Sequence, residues 1–319
     1  MWTFLARRLI QGLFTLLIIT ILCFILTRLS GDPMAQYANK PGITQEAREQ
    51  IRIKLGLDQP LPVQYIKWLQ LALQGELGYS LFSHQPVSLL ISQRLPLTLV
   101  LMLTAEVITV FIALALGILS AVRQYSLTDY LITSLSFIGF SMPIFFIALG
   151  LMLIFAVKFK ALGWPYLPTG ADVWSPKDPL QLIRHMVLPV TCLVIIQTAG
   201  YSRYVRTSML EVLGQDYVRT ARAKGLSSRK VLFKHALRNA ALPFITIIGL
   251  DIPFLLGGAL VTESIYAWPG MGRLFWEYAM KSDFPVVLGV LLIVSAAVVF
   301  FSIMTDLAYT FIDPRIRFS

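Results

Sequence analysis

Six apolar runs, each long enough to cross a bilayer, alternate with polar segments of very unequal length. The runs are Leu9–Leu29, Pro96–Val122, Tyr130–Val157, Met186–Tyr204, Ala241–Val261 and Phe284–Tyr309. A helix needs about 20 apolar residues to span the hydrocarbon, so each run predicts one transmembrane helix. The third is interrupted near Gly139–Pro143, where glycine and proline predict a kink. In the second, Ala113, Gly117 and Ala121 recur every four residues, a stripe that lets a neighbouring backbone approach closely. The first polar segment, Ser30–Leu95, carries turn signals at Gly31-Asp32-Pro33, Pro41-Gly42 and Pro60-Leu61-Pro62. Gln45–Leu55 and Pro62–Leu73 read as helices within it. This predicts a small external subdomain over residues 30–95, after an N-terminal span over 1–29. Its aromatics Tyr65, Trp68, Tyr79 and Phe82 belong at the membrane interface or in its own core.

The segment Gln215–Pro243 differs in kind. Nine Lys/Arg lie between Arg203 and Arg238, opposed only by Glu211 and Asp216. The segment is too charged for hydrocarbon and too long for a tight connection. Asp216 is placed to cap a helix over Tyr217–Lys224, and Gly225 fits the position past its end that needs a positive φ. Ser227 or Ser228 then caps a second helix reaching about Asn239. Lys230, Lys234 and Arg238 form one basic stripe, with Leu232, Phe233, Ala236 and Leu237 turned elsewhere. Pro243, without an N–H, suits the first turn of the next span.

Composition supports the membrane reading. The chain has 319 residues, 56% hydrophobic and 14% charged, against about 25% charged in soluble domains. A net charge of +10 suggests nucleic acid, but basic loops between spans are the ordinary mark of the cytoplasmic side. Arg7-Arg8 before an apolar run resembles a secretory signal. The run is longer than such a signal's apolar region, however, and no A-x-A site follows. Placing both termini inside puts fourteen Lys/Arg on cytoplasmic segments and six on the short external loops. The expectation is a multi-pass protein of the cytoplasmic membrane with six spans and both termini cytoplasmic. Cys23 and Cys192 lie in apolar runs and read as small buried hydrophobes.

Catalytic patterns are missing. There is no G-x-x-x-x-G-K-[ST], no H-E-x-x-H and no G-x-S-x-G, so no enzyme, cofactor or metal is expected in this chain. Two carboxylates, Glu106 and Asp251, fall inside spans. Such groups are costly there and face a cavity or a partner. They are candidates for lining a translocation path, or for packing as protonated or hydrogen-bonded groups. Gly139 and Pro143 are candidates for a gating kink, or equally for a passive bend. Trp164 and Trp174 read as interface anchors.

The basic segment followed by Leu242-Pro243 resembles the cytoplasmic EAA loop of ABC-importer permeases, with Arg219-Thr220-Ala221 in place of Glu-Ala-Ala and Gly225 as the loop's glycine. The distance from Gly225 to Leu242 is similar to that of the dipeptide/oligopeptide/nickel branch. So are GLDQPLPVQY (56–65), GELGYS (75–80), GFSMP (139–143), ESIYAWPGMGR (263–273) and DPRIR (313–317). The resemblance runs the length of the chain. It implies an all-α, six-span, type I importer (MetI-like) permease fold, with a permease core over 96–319 and a coupling loop over 205–242. It implies a helix that docks into a partner ATPase through Tyr217, Arg219, Thr220, Ala221, Lys224, Gly225 and Leu226. It also implies a second homologous permease, two ATP-binding subunits that use ATP and Mg, and an extracytoplasmic binding protein. Trp268, Pro269 and Gly270 become candidates for contact with that binding protein, or for merely capping the outside of the fifth span. Peptides are the implied solute, with nickel or another small solute as the alternative. A stand-alone secondary transporter is the rival of a different class, and it would show inverted internal repeats.

Overall fold

A computed structural model describes residues 2–29, 44–54, 56–170, 175, 177–256 and 260–312. The expected turns at 31–33 and 41–42, Trp174, and the tail with Arg315 and Arg317 lie outside these residues. Every described element is a helix, apart from one isolated bridge between Tyr79 and Pro86.

The first span is α1, Trp2–Leu29. Two short helices follow, α2 (Gln45–Lys54) and α3 (Leu61–Leu73). α3 lies on the end of α1. Tyr65 and Trp68 pack their rings 5.6 and 5.8 Å from that of Phe24, and the Tyr65 hydroxyl is 3.0 Å from Thr20 Oγ1. Those aromatics thus fasten the subdomain to the first span, whereas Tyr79 and Phe82 are exposed.

Helix α4 spans Val87–Val122, so it starts well before the expected Pro96 and runs straight through it. The proline removes one backbone donor and costs about 3 kcal/mol in a helix interior. Burial of Leu101, Met102 and Ala105 against the core offsets this, and Trp268 Nε1 donates to Leu97 O at 3.2 Å beside the break in the ladder. The interrupted third span is two helices, α5 (Leu127–Ser141) and α6 (Ile144–Leu151). α6 continues through a π-helical turn, Met152–Lys158, to Phe159–Ala161. Pro143 has no N–H for the Gly139 carbonyl, and Met142 is extended, with ψ 129°. The kink expected there is a complete break.

Helix α7 spans Pro179–Leu213, capped by Asp178, whose carboxylate accepts from the Leu180 and Gln181 amides. The expected Met186–Tyr204 fell short at both ends. Arg203 and Arg206, counted with the basic segment, ride on the last turns of α7. α4 and α7 form the centre of the bundle, and the small-residue stripe is their contact. A Cβ on Gly117 would meet Val205 at 2.6 Å and the Ser202 carbonyl at 2.8 Å.

The basic segment folds as α8, Asp216–Ala223, followed by α9. α9 begins at Ser228–Lys230, passes through a π segment over Val231–Ala236 and continues as Leu237–Leu256. The second short helix and the fifth span are therefore one element. Pro243 lies inside it and starts nothing. The chain ends with α10 (Leu260–Ile265), α11 (Met271–Ala279) and α12 (Phe284–Ile312). Among the described residues, six helical segments are long and apolar enough to cross a membrane: Ala6–Leu29, Val87–Val122, Ile144–Ala161, Pro179–Leu213, Ser228–Gly249 and Phe284–Thr305. Their outer faces carry exposed Leu, Ile, Val and Phe, the surface a lipid solvent requires.

Candidate functional site

Three groups of residues stand out along the axis of the bundle. The first is the polar end that carries α8. Its N-cap is Gln215, without a side-chain bond. Asp216, expected to cap, is the first helical residue, exposed and 3.4 Å from Arg219. Gly225 has the expected left-handed conformation, φ +76°, and closes a Schellman motif. The Gly225 amide donates to Arg222 O at 2.9 Å, and the Leu226 amide donates to Ala221 O at 3.4 Å. Leu226 folds back on Val218, Ala221 and Val231. Ala221 is only 6% exposed, which corrects its expected place on the docking surface. It is small because it packs against this chain's own body. The outward face consists of Tyr217, Arg219, Thr220, Lys224 and Gly225. Asn239 Nδ2 donates to the Tyr217 hydroxyl at 2.9 Å and ties α8 to α9.

Next to this end, an ion pair locks three helices. Arg206 on α7 makes a bidentate contact with Asp129 on α5, 2.8 Å at each oxygen. Ser120 at the end of α4 also donates to Asp129, and the Tyr125 amide donates at 3.0 Å. The Arg206 guanidinium, more than any other neighbour, holds the Asp129 carboxyl well below the usual carboxylate range. Neither residue was singled out in the sequence. The visible signal was an acid between the second and third apolar runs and a base just after the fourth.

The second group lies inside the membrane. Glu106 on α4 and Asp251 on α9 come together, as a shared lining would require, but through a residue not foreseen. The Tyr201 hydroxyl on α7 is 3.1 Å from Glu106 Oε1 and 2.6 Å from Asp251 Oδ2. One turn away, Thr109 donates to Gln197 Oε1 at 3.1 Å, extending the polar strip between α4 and α7.

Residues 113–318 match the family described as binding-protein-dependent transport system inner membrane component, and residues 1–102 match its N-terminal component. The chain belongs to this family. It is thus the membrane component of an ABC transport system, a permease and not an enzyme, and it crosses the membrane several times. Over 322 residues it is 44% identical to the oligopeptide transport system permease protein AppB of Bacillus subtilis (strain 168), covering 100% of each chain. It is also 37% identical over 322 residues to a protein of Sinorhizobium fredii (strain NBRC 101917 / NGR234). That relative bears the name probable peptide ABC transporter permease protein y4tP, and again 100% of each chain is covered.

In this permease the third group, the Trp268-Pro269-Gly270-Met271-Gly272 turn, is turned inward. Trp268 is 1% exposed and Gly270 is buried, which corrects their expected role as a contact surface. Only Pro269 is partly open. The turn wraps the buried carboxylate of Glu263. Thr98 donates to it at 2.9 Å, and the Arg273 amide donates at 2.9 Å. A Cβ on Gly270 would sit 2.2 Å from Glu263 Oε1. Burial pushes the Glu263 carboxyl up, partly countered by these donors. A second buried acid, Asp283, accepts from Ser80 Oγ at 2.6 Å and the Phe82 amide at 3.0 Å, joining the GELGYS segment to the start of α12. Both motifs therefore read as joints within this permease's own fold, at the end of the bundle opposite α8.

The α5–α6 break is the remaining expected feature. Gly139 is there for packing, since a Cβ would lie 3.3 Å from Ala199. Arg203 lies over the Phe140 ring at 4.5 Å and the Phe137 ring at 5.1 Å. Around the break, Phe137, Ile138, Met142 and Phe146 are exposed.

Proposed function

We propose that this permease carries peptides inward as one of two homologous membrane subunits, driven by two partner ATPases and supplied by an extracytoplasmic binding protein. Its termini and α8 lie on the cytoplasmic side of the cell membrane. The observation that carries the solute class is the end-to-end similarity to an oligopeptide permease. ATP and Mg belong to the partners. This chain's own contribution is mechanical. α8 presents Tyr217, Arg219, Thr220 and Lys224 outward, while Val218 and Ala221 pin its other face to the bundle. A rigid helix held on both sides transmits a push from the ATPase into α7 and α9, where a flexible loop would absorb it.

The second permease covers the α5–α6 break. Non-helical backbone at membrane depth cannot face lipid, because its free carbonyl has no donor there. The exposed aromatic rim and the break together require either protein or an aqueous path on that side. Asp251, which is partly open, lines the path along the other side of α7, with Glu106 packed behind it against Tyr201. The test is reconstitution with the three partner subunits and the binding protein in proteoliposomes. Peptide-dependent ATP hydrolysis and peptide uptake are expected, and both should fall together when Tyr217 and Lys224 are replaced by Ala and Glu. Uptake that persists without the ATPases would overturn the reading.

A further inference from the structure

The contacts around Tyr201 set a proton count. One phenol carries one hydrogen, yet its oxygen is within hydrogen-bond distance of two carboxyl groups from two other helices. That hydrogen can point at one of them only. The second contact then brings two oxygens together with no hydrogen between them, unless the second carboxyl carries a proton of its own. Two full carboxylates here would also repel each other in a site with little water to screen them.

We propose that Glu106, Tyr201 and Asp251 form an intramembrane binding site for a single proton, shared between the two carboxyl groups through the phenol. In its ground arrangement Glu106 is the acid. It donates to the Tyr201 oxygen, and Tyr201 donates to an ionised Asp251. The distances have this order. The 2.6 Å contact to Asp251 has the length of an O–H to carboxylate bond, and the 3.1 Å contact to Glu106 is that of a weaker neutral one. Burial has the same order. Glu106 is 5% exposed, while Asp251 is partly open. Among the described residues, Glu106 Oε2 is buried with no hydrogen-bond partner, which a neutral carboxyl tolerates far better than an anion. The titratable groups that act on the phenol are these two carboxyls themselves.

Transfer along the triad balances without any other reactant. The Glu106 proton moves to Tyr201 as the Tyr201 hydrogen moves to Asp251, and the single negative charge passes from Asp251 to Glu106. The three groups sit on α4, α7 and α9. Any motion that withdraws α9 from α7 breaks the short bond and strands a charge in the membrane, which is relieved only if the separated carboxylate takes up a second proton. The site therefore ties helix separation to proton occupancy, whatever solute is carried.

The experiment is infrared spectroscopy of the assembled complex in lipid nanodiscs, comparing normal and heavy water. At neutral pH the wild type should show a deuterium-sensitive carboxylic-acid C=O band that disappears in Glu106→Gln. In Tyr201→Phe, which keeps both acids but removes the bridge, the band should move. Either altered variant that assembles carries the test. Wild-type, Glu106→Gln, Asp251→Asn and Tyr201→Phe spectra that superimpose in the carboxylic-acid region would overturn the proposal.

Discussion

Replacing Asp129 with Asn probes the joint that links the spans to the polar end carrying α8. The substitution keeps the volume and one acceptor, but it removes the charge that Arg206 faces. The two 2.8 Å contacts become at most one, and the new amide NH2 competes with the guanidinium for the same space. Breaking a buried ion pair from one side costs about 3–5 kcal/mol, because the surviving charge is left uncompensated. Asp129 is 3% exposed, but Arg206 is 25% exposed and regains some water, so the expected loss is about 3 kcal/mol, at the low end. A second substitution, Arg206→Met, removes the stranded charge. The double variant should therefore be more stable than Asp129→Asn alone. Thermal unfolding of the detergent-solubilised complex measures both, with peptide-stimulated ATP hydrolysis as the functional readout. Acid dependence has a defined sign. The folded Asp129 value is depressed, so its stabilisation is fully present above the unfolded value of about 3.9 and is lost as pH falls through and below it. Between pH 5 and 8 the gap between wild type and Asp129→Asn should stay constant. A single variant as stable as wild type, or a double variant that loses the sum of both single losses, would refute the reasoning.

Gly225→Val should weaken ATPase copurification while Gly225→Asn should be mild. The space beside Gly225 is open, so the penalty is that of φ +76° alone, about 1–2 kcal/mol for an ordinary residue and less for Asn. Equal copurification of the two variants would show that the left-handed turn is dispensable. Gly270→Ala drives a Cβ into the buried Glu263 carboxylate and should destabilise that end of the bundle by about 1–3 kcal/mol, visible as a lowered unfolding midpoint. Lys230→Ala removes one exposed charge from the basic stripe and should leave peptide uptake near wild type. The purified chain alone should not hydrolyse ATP, since it has no P-loop; activity that tracks the pure subunit would contradict this.

Much of this permease is legible in its sequence because the deciding forces are local. Twenty-odd apolar residues in a row must form a helix in lipid, where each backbone group has to bond within its own segment. Gly225 announces a positive φ, and Pro143 announces a missing donor, and both effects are confined to a turn. The Ala113–Gly117–Ala121 stripe shows a close contact but not which helix makes it. What the sequence left open depends on register between helices, which packing alone decides. Pro96 and Pro243 read locally as helix starts, but tertiary contacts carry α4 and α9 through them. Ala221 and Trp268 belong to motifs that read as surfaces, and the fold turns both inward. Glu106 and Asp251 were visible as costly charges, each apparently alone. Their meeting at Tyr201 joins positions 95 and 50 residues apart, and no periodicity within one helix encodes how three helices rotate to face a common point.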